Sequence, residues 1–397
     1  METTQIQGSA GAADVQMRGL RVLLVTARYL PELGGTEIHT HEIARRFAAE
    51  GLDVTVLTTT LQRGQRVSGT DDRAESRDTH QLPHVVRVRA WPAKRDYYFA
   101  PAIFNIIARG NWDVVHIHSY HTLVPPLAML AALRGGHPYL LTFHGGGHSS
   151  HMRQAFRGPQ MALLRPLLVR ADRLIVNSQF EASFYAERLA RPASEFVIVP
   201  NGSDLPRRPS ADARSATDRS LIASIGRLER YKGHHRVIEA LPYVLEQRPD
   251  IRLWVAGSGP YEQQLLSLAR DLGVEEHVEI RAIPAHDREK MADELSRPAL
   301  IVLLSEFESH CMTVLEAAGL GLSVLVADQT GLAELAREGL ARAIPLSSTP
   351  REVARAILHQ LDHPHLPTAG KIPTWDDVAS SLLALYRDVL QERAGAP

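Results

Sequence analysis

The stretch SLIASIGRLERYKG, Ser220 to Gly233, decides the fold. It opens as an apolar run of strand length and breaks at Gly226. A loop carrying Arg227 and Lys232 then leads into a helical stretch that begins near Gly233. Strand, loop and helix in that order make one βα unit. Immediately upstream, NGSDLPRRPSADARSATDR (Asn201 to Arg219) is rich in Pro, Ser, Asp and Arg without periodicity, which predicts a linker. A new series of units therefore starts at Ser220 and continues through IRLWVAGSG, VEIRAIP, ALIVLLSE, SVLVAD and ARAIPL, with helical stretches between them.

The N-terminal side has the same alternation. RVLLVT, DVTVLTT, VVRVRA, DVVHIHS, YLLTFHGGG, DRLIVNS and FVIVPNG are short apolar runs separated by helical text. Both halves thus predict α/β doubly wound parallel sheets. The expected boundaries are a disordered tail over 1–19, a first Rossmann-like domain over 20–200, a linker over 201–219 and a second such domain over 220–373. A last segment, 374–397, opens with Thr374 before Trp375-Asp376-Asp377, a good helix start.

Composition narrows the function. With 397 residues and 44% hydrophobic content, the chain can bury a core in each domain. A formal net charge of −1 gives no global field toward nucleic acid, so none is expected as a partner. The single cysteine, Cys311, excludes an internal disulfide and fits a reducing compartment, with the cytoplasm as the expected location. No apolar run reaches membrane-spanning length, and Met1 to Gly19 lacks the apolar block of a signal peptide. From Met152 to Arg170, Leu163, Leu164, Leu167 and Leu168 mix with Arg153, Arg157, Arg165 and Arg170. A peripheral membrane contact is one reading, but Pro159 and Pro166 interrupt the stretch and a core-packing helix with a solvated arginine face is favoured.

Ligands of such sheets bind beyond the carboxyl ends of strands, so the loops there carry the chemistry. FHGGGHSSH, Phe143 to His151, resembles an esterase oxyanion loop, but no G-x-S-x-G turn accompanies it. His144, His148 and His151 could offer imidazoles to a metal, yet glycine-rich backbone does not fix them on one face as a helix would. In SEFESHCMTVLEAAGLG, Ser305 to Gly321, Glu308 falls in a loop and Glu316 in the following helix. They are spaced too widely for a hydrolytic acid/base pair and suit separate sugar hydroxyls. Arg227 and Lys232 beside a helix start suit a diphosphate. Cys311 has two readings, a thiolate favoured by the helix start or a buried inert thiol.

GGTE at Gly34 to Glu37, FHG at Phe143 to Gly145, Asn177-Ser178, VPNGSD at Val199 to Asp204, GRLERYKG, AGSGP and the pair Glu308 and Glu316 follow one another over about three hundred residues. In that order they resemble a family 4 glycosyltransferase. The resemblance implies the GT-B fold, two Rossmann-like domains facing across a cleft, with the last helix crossing back to the first domain. It also implies a retaining transferase that moves a sugar from a nucleotide-diphosphate donor, carrying UDP or GDP, to a hydroxyl acceptor on a glycan, lipid or small metabolite. No metal or other cofactor is implied.

By the same resemblance Glu316 holds the ribose, Glu308 the transferred sugar, and Arg227 with Lys232 the diphosphate. Gly34 and Gly35 bring backbone N–H groups to the phosphates. His144 and Gly145 lie beside the sugar, and Ser309, His310, Cys311, Met312 and Thr313 line the donor. His118, His148 and His151 fall on the acceptor side. Many relatives carry glycines where Ser309 and Cys311 stand and an aromatic at His310, which leaves sugar selection open. Other readings are a GT-B nucleotide-sugar isomerase or hydrolase, a non-catalytic nucleotide-sugar-binding subunit, and a nicotinamide-dependent reductase. The last is disfavoured because AGSGP is followed by Glu262 where a dinucleotide fingerprint needs Gly or Ala.

Overall fold

The computed structural model describes residues 17–32, 34–60, 82–91, 98–145, 151–205, 217–283, 287–367 and 372–395, with only the helical backbone for 151–157. The first half runs β1 (Arg21–Val25), α1 (Gly35–Ala49), β2 (Asp53–Thr59), β3 (His84–Val88), α2 (Ala102–Arg109), β4 (Val114–His118), α3 (Val124–Gly135), β5 (Tyr139–Thr142), α4 (His151–Leu168), β6 (Arg173–Val176), α5 (Gln179–Leu189) and β7 (Phe196–Ile198). These strands form a seven-stranded parallel sheet in the order β3-β2-β1-β4-β5-β6-β7. The central strands are rich in apolar residues and buried on both faces, as parallel strands covered by helices must be.

The second half repeats the plan with β8 (Asp218–Ile225), α6 (His234–Leu245), β9 (Arg252–Ala256), α7 (Glu262–Asp271), β10 (Val278–Arg281), α8 (Arg288–Leu295), β11 (Pro298–Leu303), α9 (Met312–Gly319), β12 (Val324–Ala327), α10 (Thr330–Arg337), β13 (Arg342–Ile344), α11 (Pro350–Asp362) and α12 (Trp375–Ala394). Its sheet is parallel, six-stranded and ordered β10-β9-β8-β11-β12-β13. Each sheet reverses winding direction once, between β1 and β4 and between β8 and β11. Crevices open there at the strands' carboxyl ends.

Several segments near the expected boundaries are packed. Gly19 N–H donates to the Gly51 carbonyl at 2.9 Å, which ties 17–19 to the start of the first sheet. Asn201, Gly202 and Ser203 are buried, and Ser203 N–H donates to the Pro373 carbonyl at 2.8 Å. Polar side chains in NGSD mask this packing in the sequence, because their partners lie far along the chain.

Helix α12 belongs to the first domain's core. Thr374 caps it through a reciprocal pair with Asp377. Trp375, Val378, Leu382 and Tyr386 then pack in one buried cluster with Val22, Leu24, Ile43 and Phe47. Among the described residues no helix is long and apolar enough to cross a membrane. Leu382 is fully buried, so Leu382→Ala should destabilise the protein by about 2–5 kcal/mol through lost burial and a cavity. Urea unfolding checks this, and a loss below about 1 kcal/mol would mean that the helix contributes little to that core.

Candidate active site

The loops at both crevices converge on one place. After β8, His234 at the start of α6 is buried, with Nδ1 2.8 Å from Ser224 Oγ and Nε2 3.2 Å from the Arg227 carbonyl, and it pins the GRLERYKG turn. Gly233 closes that turn at φ 74, and a Cβ there would lie 2.0 Å from the Leu304 carbonyl oxygen. Only glycine lets this loop rest on the end of β11. Lys232 Nζ is thereby brought 2.6 Å from Glu308 Oε1 in the loop after β11, while Arg227 is exposed and donates to the Tyr231 hydroxyl at 2.7 Å. Burial works against the Lys232 ammonium, but the Glu308 carboxylate outweighs it and holds the pKa above the ordinary lysine value.

Glu316, on α9, is 4% exposed and accepts from Arg288 Nη1 at 3.2 Å. Burial raises its pKa to about 7, and Arg288 opposes the rise. The other arm of Arg288 lies 3.4 Å from Asp204, whose second oxygen accepts from Arg46 of α1 at 2.9 Å. Arg46 also binds Glu42 and Asp376. A chain of alternating charges thus runs from α1, through the segment joining the domains, to Glu316. Arg288 sits in HDREK, which reads as an ordinary surface helix start, and nothing there signals a buried partner 28 residues away.

On the facing domain His118 ends β4 and His144 follows β5. His118 Nδ1 lies 3.0 Å from His144 Nε2, and His39 of α1 packs edge-on against His144 with ring centroids 4.6 Å apart. Burial lowers His39 to about 4 and takes His118 and His144 well below the usual histidine value, so all three are neutral at pH 7. His116 stacks behind His118 and is fully partnered, with Nδ1 2.6 Å from Tyr386 OH and Nε2 2.7 Å from Thr142 Oγ1. His148 lies outside the described residues, and of His151 only the backbone, at the start of α4, is described.

His144 has φ 46, a left-handed conformation disfavoured for a side chain of its size. Its neighbour Gly145 donates to Glu181 Oε1 at 2.5 Å, and the second oxygen of Glu181 accepts from Asn177 N–H at 2.8 Å. A Cβ at Gly145 would sit 2.5 Å from Glu181 Oε1 and 3.0 Å from Tyr185 OH. Glu181 is fully buried, which raises its pKa to about 7 against those two N–H groups. The spacing Ser178 to Glu181 reads as a capping box, but the carboxylate reaches past the cap to hold the histidine loop.

The two domains meet on the Glu308 loop. Ser178 Oγ donates to the Ser309 carbonyl at 2.7 Å, and Asn201 Nδ2 donates to the His310 carbonyl at 3.0 Å. Glu334 of α10 accepts from Gln179 and Phe180 N–H at 2.9 and 2.8 Å, capping α5 of the other domain. Met312 packs against the first domain's core, and its sulfur would lie 3.8 Å from a Cβ at Gly35. Gly34 precedes α1 at the same crevice, and Thr313 lies in the first turn of α9 beside Met312. Cys311 is buried at the start of α9, and burial with the nearby Glu308 pushes its thiol up to about 12. Desolvation outweighs the helix end here, and the inert reading applies.

The comparisons with known proteins agree with this architecture. Residues 33–207 match the Glycosyltransferase Family 4 model and residues 208–369 match that of Glycosyl transferases group 1. The chain is 28% identical to a glycogen synthase of Mycobacterium tuberculosis, over 87% of each chain. It is 26% identical to a D-inositol 3-phosphate glycosyltransferase of Nocardiopsis dassonvillei, over 91% of each. A sucrose-phosphate synthase structure from Thermosynechococcus elongatus superposes with a TM-score of 0.73 at 21% identity, covering 94% of this chain and all of that one. Anabaena HepE, solved with UDP and glucose, gives 0.67 at 18%, covering 94% of this chain and 98% of its own. These structures share the GT-B arrangement of two parallel-sheet domains. With both halves matched by transferase models, the chain belongs to the family 4 glycosyltransferases, which use nucleotide-sugar donors.

Proposed function

We propose that the protein is a retaining glycosyltransferase that moves a sugar from a nucleotide-diphosphate donor to a hydroxyl on a glycan, lipid or small metabolite, without a metal. The observation that carries this reading is the pairing of Lys232 with Glu308 on the same loop system as Arg227, facing neutral imidazoles across the crevice. When the sugar–phosphate bond breaks, negative charge grows on the diphosphate and positive charge on the sugar. Arg227 and Lys232 stabilise the first. His144 and His118, being neutral, add no repelling charge beside the second. The departing phosphate oxygen accepts the proton of the incoming hydroxyl on the same face, which preserves the anomeric configuration. Glu308 and Glu316 take the sugar and ribose hydroxyls, and Gly34 and Gly35 present N–H groups to the phosphates.

UDP and GDP are the proposed nucleotides, with UDP first because the HepE structure holds it. Transferase descriptions for both halves disfavour the isomerase or hydrolase alternative. A reducing cytoplasmic setting is supported by the single buried cysteine. Thermal-shift measurements over UDP-, GDP-, ADP- and TDP-sugars identify the donor.

Lys232→Ala and Arg227→Ala should each lower kcat by about 100-fold or more while acceptor KM changes little, since the charge they meet grows toward the transition state. Steady-state kinetics check this, and an effect confined to acceptor KM contradicts it. Glu316→Gln should weaken donor binding by about 1.5–3 kcal/mol.

The pKa near 7 of Glu316 fixes a sign. The native state keeps this proton where an unfolded chain, at about 4.5, has lost it. From this group stability therefore falls as pH rises from about 4.5 to 7. Donor binding uses the ionised carboxylate and should instead strengthen through about pH 7. Calorimetry with a nucleotide sugar should show that rise in the native protein and a flatter profile in Glu316→Gln. Finally, NMR of the product should show the donor's anomeric configuration with the rate unchanged by excess EDTA. Inversion, or loss of activity on chelation, would overturn the mechanism.

A further inference from the structure

We propose that His39, His118 and His144 form a binding site for a borderline divalent transition metal such as Zn2+ or Co2+, and that its occupation blocks transfer. One ring nitrogen from each lies within 4.8 Å of the others. The pair His118 Nδ1 and His144 Nε2, at 3.0 Å, is already close to the edge of about 3.3 Å that a tetrahedron with metal–nitrogen bonds of about 2.0–2.1 Å requires. His39 and His118 are 1% and 0% exposed, and His144 is half-buried.

The hydrogen bonding leaves the His39 lone pair without work, and the His118–His144 contact is one that a metal would replace. Asn201 uses its Nδ2 on the His310 carbonyl, so its Oδ1, 3.1 Å from His39 Nδ1, accepts a proton from that nitrogen. His39 Nε2 then carries a lone pair, and it is buried without a partner. By accepting from the far ring N–H and fixing the tautomer, this oxygen does what the outer partner of a metal-bound imidazole does. His144 has a similar neighbour in Asn177, whose amide lies 3.4 Å from His144 Nδ1 and whose Oδ1 is buried and unpartnered. Rotating that amide lets Oδ1 accept from Nδ1–H and frees Nε2 for the metal. Binding through His118 Nδ1 puts that ring's proton on Nε2, which is buried without a partner and so is not held to the opposite tautomer. His116, by contrast, has both nitrogens bonded, which sets it apart as packing.

Three neutral imidazoles with an open fourth position suit Zn2+, Co2+ or Ni2+ better than Mg2+ or Ca2+, which take oxygen ligands. A bound ion would hold His144 through the face proposed for the sugar, so the consequence for transfer rests on that reading. The binding itself does not.

The test is titration of the full chain with Co2+, without donor or acceptor, followed by visible absorption. One ion per chain should give the intense bands of a four-coordinate site, displaced by Zn2+. His39→Asn retains a hydrogen-bonding amide near the Nδ1 position but removes Nε2, and His118→Gln removes a second ligand. Each should weaken Co2+ binding by about 100-fold or more, with the melting temperature reporting that the variant is folded. The competing surface pair is His359 and His363 on α11, with ring centroids 5.2 Å apart. His359→Ala/His363→Ala should keep the spectrum. Absence of four-coordinate bands, bands that survive in His39→Asn, or bands lost in the surface variant would each overturn the proposal.

Discussion

Asp204 stands between two guanidinium groups, Arg46 from the first domain and Arg288 from the second. This shared carboxylate is the electrical centre of the molecule. On one side Arg46 gathers Glu42 and Asp376, so α1 and α12 are held to the joining segment. On the other side Arg288 is the only cation paired with Glu316 among the described residues, and it is what keeps a fully buried carboxylate from rising further above its ordinary pKa. Arg46, Asp204 and Arg288 therefore contribute both to the placement of the domains and to the charge of the proposed ribose ligand.

The contacts across the crevice share a second property. Ser178, Asn201 and Glu334 all bond to backbone of the opposite domain, and Asn201 N–H in addition donates to His310 Nδ1 at 3.2 Å. The Glu308 loop is consequently fixed in position through the Ser309 and His310 carbonyls and through the buried His310 ring.

Much of this was legible in the sequence. Apolar runs followed by loops gave the strand ends, and Lys232 and Glu308 meet because those ends flank one winding reversal. What stayed hidden has a common cause. His39 lies on a helix face where histidine has no distinctive pattern. Glu181 looks like a capping residue, but its carboxylate bonds Asn177 N–H and a loop 36 residues earlier. Arg288 and Glu334 look like solvated surface charges, since local text carries no sign of a partner 84 or 155 residues away. Periodicity reports which face of an element is buried, not what the opposite domain brings to it.

Helix α12 carries a consequence for biosynthesis. Trp375, Leu382 and Tyr386 fill the core formed by Val22, Leu24 and Phe47, yet they leave the ribosome only after the whole second domain has been made. In most multidomain chains the N-terminal domain folds first as it emerges. Here its apolar interior stays open on one side until translation reaches the final helix. During that interval the strands of the first sheet lack the cover that Trp375, Leu382 and Tyr386 give them in the native protein, so this domain completes its core only together with the synthesis of the second.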